Sequence, residues 1–225
     1  MTATAASTDA SCVLVLAGDS PWGPQVASLL QRRGWRVEFK PPDEAAAALQ
    51  AGQHSLAVLD TGAGAPGWQP LLGACSALAP RPLLLVLCTP AEVYDVLRAP
   101  ERPHAYGRKP ASAEQVVSWI EALARGMGSN LDACLVADEI ALDPLARCVY
   151  LPGSAVELPK REFDLLHLLM SRRGQVVTRD ESTRHLYRWG QDISSNAVDV
   201  HIHALRRRFS RLAIRTVRGQ GYVLG

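Results

Sequence analysis

The sequence predicts two domains, a doubly wound α/β domain on a parallel sheet and a smaller α+β domain. Short apolar runs alternate with amphipathic helices through the first half of the chain, a glycine-containing stretch interrupts the pattern near residue 126, and the last third ends in a basic helix and a hairpin. A length of 225 residues suits two domains of ordinary size.

Five apolar or β-branched runs are predicted as the strands of the first domain. They cover residues 12–16, 36–39, 56–59, 83–87 and 104–108, and the predicted helices cover 25–33, 44–50 and 113–125. Near-continuous apolar strands separated by helices indicate a parallel sheet covered on both faces. Sites in such sheets lie at the carboxyl ends of the strands. Those ends carry Asp19, Asp60, Thr89 and Lys109.

The predicted organisation is a disordered tail at 1–11, a first domain at 12–126, a linker at 127–131 and a second domain at 132–225. In the second domain, short strands within 134–151 precede a helix at 159–173 that Gly174 stops. Thr178 is the expected N-cap of a short helix at 179–186, because Glu181 completes a capping-box pattern.

The basic helix and the hairpin after it are the most informative part of the chain. Residues 194–210 read SSNAVDVHIHALRRRFS, in which Val198, Ile202, Leu205 and Phe209 form one apolar stripe. Residues 214–224, IRTVRGQGYVL, give a strand–turn–strand signal around Gly219-Gln220-Gly221. A helix in the major groove with a hairpin at the minor groove is the geometry of a winged helix-turn-helix DNA-binding domain.

The charge distribution agrees with DNA binding better than the total charge does. The whole chain carries a formal charge of only +2, but residues 170–218 hold eleven arginines against four acidic residues. Residues 1–128 hold ten basic against eleven acidic residues. A basic surface confined to one end is expected for a protein that binds phosphates there.

Several other classes of protein are disfavoured. No run of eighteen apolar residues predicts a membrane span, and residues 1–11 lack the features of a signal peptide. The five cysteines have no CxxC spacing, which favours reduced thiols over a disulfide framework or a zinc site. We find no nucleophile–base pair or metal cluster, so an enzyme is not expected, and a cytoplasmic location fits this composition.

The carboxy-terminal motifs resemble the effector domain of the OmpR/PhoB family of two-component response regulators. LPKREFDLLHLL (158–169), RRGQVVTRDE (172–181), SSNAVDVHIHALRRRF (194–209) and IRTVRGQGYVL (214–224) follow that family's order and spacing. The resemblance implies a recognition helix at 196–210, a loop at 187–195 that touches RNA polymerase and a wing at 212–224. It also implies promoter DNA as partner, bound at tandem half-sites by a homodimer. The implied DNA-facing residues are Asn196, Ala197, His201, His203, Ala204, Arg206, Arg207, Arg208, Thr216 and Arg218.

Two positions of the recognition helix limit what it can bind. Ala204 stands where some members place a base-reading arginine, and alanine offers only an apolar contact to a thymine methyl group. His201 and His203 are two residues apart and point in different directions, so no metal site is expected there.

The first domain resembles the family's receiver, a flavodoxin/CheY-like domain that binds Mg²⁺ and is phosphorylated on aspartate. The resemblance places Asp60 at the phospho-acceptor position, Thr89 (or Cys88) at the switch hydroxyl, Tyr106 at the rotating aromatic and Lys109 at the lysine. The acidic pair that holds the metal is replaced by Ala17-Gly18, and Asp19 lies one step along. Two prolines at 98–104 fall where a helix of the dimer face would run, so we expect that face to be shortened or rebuilt.

We therefore favour a DNA-binding regulator whose receiver works without phosphorylation, without a cofactor, and with Asp60 paired to Lys109. Two alternatives stay open. In the first, Asp19 and water complete a Mg²⁺ site, and a sensor kinase phosphorylates Asp60. In the second, the first domain senses a ligand or a protein, which then sets the affinity for DNA.

Overall fold

The computed structural model describes residues 12–16, 22–51, 54–62, 68–126, 131, 133–187 and 196–225. The chain divides into two compact units, Met1–Asp132 and Ala133–Gly225, each of which has a hydrophobic core. The predicted tail at 1–11 and linker residues 127–130 lie outside the described residues, as do Ala17, Gly18 and Asp19.

The first unit contains a five-stranded parallel sheet in the order β2-β1-β3-β4-β5. Its strands are β1 (Cys12–Leu16), β2 (Arg36–Lys40), β3 (Leu56–Asp60), β4 (Leu83–Cys88) and β5 (Ala105–Arg108). Its helices are α1 (Trp22–Arg32), α2 (Ala45–Gln50), α3 (Trp68–Ser76), α4 (Val93–Arg98) and α5 (Ala113–Ala124). The central strands are buried almost throughout because helices cover both faces. The predicted doubly wound fold is confirmed.

The start of α1 differs from its predicted position, and α4, for which no limits were predicted, is short. The first helix starts at Trp22, three residues before the predicted start at Gln25. This is compatible with Pro24, because a proline in the first turn of a helix removes no intrahelical hydrogen bond. The helix α4 is only six residues long and is followed by the extended residue Ala99, in front of Pro100. The helix is therefore short where the two prolines predicted a shortened or rebuilt face.

The second unit combines a four-stranded antiparallel sheet, three helices and a three-stranded sheet. The first sheet consists of β6 (Leu135–Ala137), β7 (Ile140–Asp143), β8 (Cys148–Leu151) and β9 (Ser154–Val156). The helices are α6 (Lys160–Ser171), α7 (Arg179–Leu186) and α8 (Ala197–Arg208). The last sheet has the order β10-β12-β11, with β10 (Val177–Thr178), β11 (Ile214–Val217) and β12 (Gly221–Leu224). This is the predicted winged helix-turn-helix arrangement.

Local sequence signals fix the ends of several helices. The Thr178 hydroxyl oxygen accepts a hydrogen bond from the Glu181 amide, and the Glu181 carboxylate accepts one from the Thr178 amide. The predicted capping box is therefore confirmed. The helix α6 is shorter than the predicted 159–173, because Pro159 is its N-cap and Arg172 already leaves the helical conformation. The helix α8 ends before Phe209, two residues short of the predicted limit.

Candidate nucleic-acid interface and carboxylate pocket

One face of α8 fixes the helix to its unit. Val198, Ile202 and Leu205 are at most 3% exposed, and Phe209, just after the helix, is 5% exposed. All four belong to one hydrophobic core cluster of the second unit. The opposite face of the helix is therefore held outward by the packing of this stripe.

The outward face of α8 carries Asn196, Val200, His203 and Arg207, which recur at three- and four-residue spacing. All four are exposed, and Val200 is 59% exposed although it is apolar. Sequence reasoning missed Val200 because it considered only polar and alanine positions. The available signal was an apolar residue that falls off the buried stripe and on the helical row of His203 and Arg207.

The three consecutive arginines have three different environments. Arg207 is exposed and makes no hydrogen bond or ion pair with any residue that the structure describes. Arg206 is half-buried: its Nε donates to the Ile214 carbonyl oxygen at 3.0 Å, and its Nη2 donates to Thr216 Oγ1 at 2.9 Å. Arg208 turns to the other flank, where its Nε lies 3.8 Å from Glu162 Oε2. Only the middle arginine is thus left unpaired among these three.

The two histidines also separate. His203 is exposed on the outward face, whereas His201 is half-buried on the flank, with its Nε2 3.2 Å from the Tyr187 hydroxyl. The guanidinium of Arg161 stacks over the Tyr187 ring at 4.3 Å. Burial lowers the pKa of His201, Glu162 raises it, and Arg161 lowers it further, with a net lowering. The structure therefore does not bring His201 together with His203.

The predicted wing is a hairpin of β11 and β12 whose turn exposes Arg218. Gly219 in this turn has φ +73°, a conformation that favours glycine. A side chain at Gly221 would overlap the Val177 carbonyl oxygen, because β12 passes close to β10 there. Thr216 is exposed, but its hydroxyl already accepts the Arg206 hydrogen bond.

A separate polar pocket lies at the carboxyl ends of the strands in the first unit. Asp60 is the last residue of β3, and its side chain is only 3% exposed. Its Oδ1 accepts hydrogen bonds from Lys109 Nζ at 2.5 Å and from the Gly62 amide at 2.8 Å. Its Oδ2 accepts one from Trp22 Nε1 at 2.8 Å. The Asp60–Lys109 contact was expected from the sequence, whereas the Trp22 contact was not, because the start of α1 had been placed later.

Thr89, another predicted pocket residue, binds a second carboxylate, Glu92. The Thr89 hydroxyl donates to Glu92 Oε2 at 2.7 Å and the Thr61 hydroxyl donates to the same oxygen at 2.6 Å. Cys88, the alternative to Thr89, ends β4 as a buried thiol that contacts the Gly107 carbonyl oxygen, and burial raises its pKa to about 12. Tyr106 is 3% exposed in β5. Sequence reasoning missed Glu92, although Thr89 and Glu92 have the spacing of a capping-box pair.

Two further properties concern only the described part of the chain. Every helix there is too short or too polar to traverse a lipid bilayer. In the same ranges, no three His, Cys, Asp or Glu side chains gather in a way that could hold a metal ion. Asp19 lies outside those ranges.

Comparison with known proteins adds an independent line of support. Residues 153–224 match the family described as "Transcriptional regulatory protein, C terminal". The chain is 42% identical over 117 residues to the response regulator protein PmrA of Pseudomonas aeruginosa, covering 52% of this chain and 53% of that protein. It is 30% identical over 178 residues to the transcriptional regulatory protein BasR of Escherichia coli (strain K12), covering 79% of this chain and 80% of that protein.

The first of these alignments is partial. The aligned segment spans about half the length of PmrA and of QseB from Escherichia coli O157:H7, to which the chain is 40% identical. Among solved structures, the response regulator DrrB, an OmpR/PhoB homolog of Thermotoga maritima, superposes with a TM-score of 0.54 at 21% identity. That match covers 95% of this chain and 98% of DrrB, and it supports the two-domain fold.

Proposed function

The chain belongs to the OmpR/PhoB family of response-regulator transcription factors, and on this premise we propose that it binds promoter DNA through α8 and the wing while its receiver works without phosphorylation. The DNA-binding proposal depends mainly on one observation: the outward face of α8 and the wing both expose side chains that can contact DNA. These are Asn196, Val200, His203 and Arg207 on α8, and Arg218 in the turn of the wing. The outward row and Arg218 offer hydrogen-bonding, apolar and cationic groups, which a base edge and a phosphate require.

The row itself suggests how DNA is read. A helix of twelve residues is about 18 Å long and fits the major groove. Val200 and the half-buried Ala204 offer methyl groups, which suit the methyl group of thymine. Asn196 and His203 can hydrogen-bond to base edges or phosphates, and Arg207 can bind guanine or a phosphate.

The flanking residues position the interface. Arg206 joins α8 to β11 through two hydrogen bonds, so the wing and the helix are held in one arrangement. We assign His201 and Arg208 to the flank, where they pack against Tyr187 and Glu162. From there their cationic or polar edges reach DNA only beside the groove, as phosphate contacts. Ala197 is half-buried at the start of the helix and Thr216 shares its hydroxyl with Arg206.

Homodimeric binding to tandem half-sites and contact of residues 187–195 with RNA polymerase complete the proposal for the second domain. The family resemblance supports both, and residues 188–195 lie outside the described residues. In this proposal the domains follow the predicted limits, 12–126 and 132–225, joined by the linker at 127–131.

The hydrogen bonds that Asp60 accepts support a receiver that works without phosphorylation. Both of its carboxylate oxygens already accept hydrogen bonds, from Lys109, Gly62 and Trp22. A Mg²⁺ ion demands octahedral oxygen ligation. The described residues around Asp60 do not fit such an ion, because their donors occupy the oxygens it would use and Ala17-Gly18 offers no carboxylate.

Two experiments test the two halves of this proposal. Full-length protein is used to select duplexes from a random pool, and the affinity of the selected site is measured at several salt concentrations for the wild type and Arg218→Ala. Arg218→Ala is expected to weaken binding and to reduce the slope of log K against log salt by about 0.9. Unchanged affinity and slope would reject the wing assignment.

Phosphorylation is tested separately by intact mass after incubation with a small phosphodonor and Mg²⁺. The wild type is expected to gain no labile phosphoryl group. An adduct that is present in the wild type and absent in Asp60→Asn would instead support a conventional receiver served by a sensor kinase. If neither adduct nor phosphodonor effect is found, but a ligand or protein changes DNA affinity, the sensing alternative gains support.

A further inference from the structure

Three hydrogen bonds converge on one oxygen of Glu92, at the end of the sheet that also carries Asp60. Glu92 Oε2 accepts from Thr61 Oγ1 at 2.6 Å, from Thr89 Oγ1 at 2.7 Å and from the Thr89 amide at 2.8 Å. Glu92 lies directly before α4 but makes no side-chain cap for that helix. Its carboxylate instead accepts hydrogen bonds from Thr61 and Thr89, the two threonines that follow β3 and β4.

These donors lie at the ends of the two paired strands, β3 and β4, the first of which ends at Asp60. Thr61 follows Asp60 directly, and its amide donates to the Leu87 carbonyl oxygen in β4, so the ends of the two strands are joined. A hydroxyl has one hydrogen to donate. Thr61 Oγ1 also lies 3.2 Å from the Leu87 carbonyl oxygen, but Glu92 Oε2 is nearer at 2.6 Å and, being charged, is the stronger acceptor. Neither hydroxyl can therefore donate to a second anion without breaking a charge-assisted hydrogen bond to Glu92.

The negative charge of Glu92 also disfavours binding of a second anion, as its hydrogen bonds with the threonines do. Burial would raise the pKa of Glu92, but the hydrogen bonds from Thr61 and Thr89, together with the positive charge of Lys109, bring it below its ordinary value. Glu92 is therefore ionised at neutral pH. The ends of β3 and β4 then hold two carboxylates, Asp60 and Glu92, and the nearby cation is Lys109. A further negative charge is repelled there.

We propose that Glu92 is a built-in anion that occupies the Thr61 and Thr89 hydroxyls, holds the ends of β3 and β4 in one arrangement, and excludes phosphate-like anions from the pocket beside Asp60. This inference rests on the proposed phosphorylation-independent receiver and explains how this chain enforces it. Glu92 is a positioning residue here, because it acts through the two threonines.

The main test uses full-length protein and inorganic phosphate as the probe. Amide chemical shifts of Thr61, Gly62 and Thr89 are followed by NMR during phosphate titration of the wild type, Glu92→Gln and Glu92→Ala. Glu92→Ala removes both the charge and the acceptor, and it is expected to bind phosphate at least about tenfold more tightly than the wild type. Glu92→Gln keeps an acceptor oxygen without the charge and is expected to fall between them.

The control adds Lys109→Ala to Glu92→Ala, which is expected to abolish the gained phosphate binding because the cation is lost. Phosphate binding by the wild type as tight as by Glu92→Ala would overturn the inference. So would a folded Glu92→Ala protein that gains no binding.

A second measurement does not depend on the folding of Glu92 variants. The Glu92 carboxyl carbon is titrated by NMR in the wild type, Thr61→Val and Thr89→Val. Each valine removes one hydroxyl donor, so the pKa of Glu92 is expected to rise toward its ordinary value in both variants. An unchanged midpoint in both would show that the hydroxyls do not engage Glu92.

The outcomes distinguish this inference from the function on which it rests. A phosphoryl adduct on wild-type Asp60 would refute phosphorylation independence whatever Glu92 does. Absence of that adduct together with no gain in phosphate binding by Glu92→Ala would refute only the role of Glu92.

Discussion

The same substitution at three adjacent positions, Arg206→Ala, Arg207→Ala and Arg208→Ala, is expected to give three different results. In the sequence these arginines form one basic run, but in the structure their side chains have different contacts. Arg206 donates hydrogen bonds to the wing, Arg207 has no partner among the described residues, and Arg208 lies 3.8 Å from Glu162. Stability and DNA binding are therefore expected to separate along the run.

Arg206→Ala removes two charge-assisted hydrogen bonds between α8 and β11. Hydrogen bonds to charged groups contribute roughly 1.5–3 kcal/mol each, and partial exposure reduces this. We expect a loss of about 1–2 kcal/mol in the free energy of unfolding, together with weaker DNA binding because the wing is no longer fixed.

Arg207→Ala is expected to leave the free energy of unfolding within about 0.5 kcal/mol of the wild type, because its side chain has no partner among the described residues. It is expected to weaken DNA binding and, where Arg207 contacts a phosphate, to reduce the salt slope by about 0.9. Arg208→Ala removes a 3.8 Å contact between an exposed guanidinium and the largely buried Glu162 carboxylate, and is expected to cost about 1 kcal/mol, with the smallest effect on DNA.

The assay combines denaturant unfolding of each full-length variant with fluorescence anisotropy on the selected duplex at several salt concentrations. Equal effects of Arg206→Ala and Arg207→Ala on both stability and salt slope would refute the different roles assigned to these two arginines. A large loss of stability in Arg207→Ala would refute them as well.

Two further predictions concern the fold of each unit. Gly221→Ala is expected to cost about 3 kcal/mol or more in the free energy of unfolding, because its methyl group would overlap the Val177 carbonyl oxygen. The matched change Gly73→Ala lies in a helix with open space around it and is expected to stabilise the protein by about 0.5–1 kcal/mol. Equal effects of the two changes in denaturant unfolding would be inconsistent with this packing. His104 Nδ1 accepts a hydrogen bond from the Leu84 amide, and burial, then Arg81, lowers the pKa of His104. The unfolded state then binds protons more readily, so this contribution to stability is fully present above about pH 6.5 and is lost as pH falls toward the folded pKa. Denaturant unfolding on both sides of that value should show a smaller loss on acidification in His104→Gln, and an identical loss would contradict the assignment.

Patterns that depend on near neighbours in the chain were predictable from the sequence. The limits of β1, the apolar stripe of α8 and the Thr178–Glu181 capping box all follow from periodicity or fixed spacing, and the structure has each of them. The pairing of Asp60 with Lys109 was also predictable, because the carboxyl ends of parallel strands lie along one edge of the sheet, although β4 separates β3 from β5.

Contacts set by tertiary packing were not predictable. The Trp22 indole reaches Asp60 across 38 positions of sequence, and Glu92 joins Thr61 to Thr89 across the gap between two strands. No local pattern encodes the contact of Trp22 with Asp60 or that of Thr61 with Glu92, whereas Thr89 and Glu92 have the local spacing of a capping-box pair. Likewise, helical spacing shows that Arg206 and Arg208 point to opposite flanks, but only the positions of β11 and Glu162 reveal what each flank meets.

We propose that the outward face of α8 and Arg218 of the wing bind DNA together. The most direct test of this proposal is the salt dependence of full-length protein binding to the selected duplex, for Arg207→Ala/Arg218→Ala against Arg147→Ala/Arg211→Ala. The control pair removes the same charge from arginines already paired with Asp164 and Glu139. We predict that the first pair loses affinity and reduces the salt slope by about one to two, whereas the control pair keeps both near wild type. Equal losses in the two pairs would mean that net charge, and not this surface, determines DNA binding.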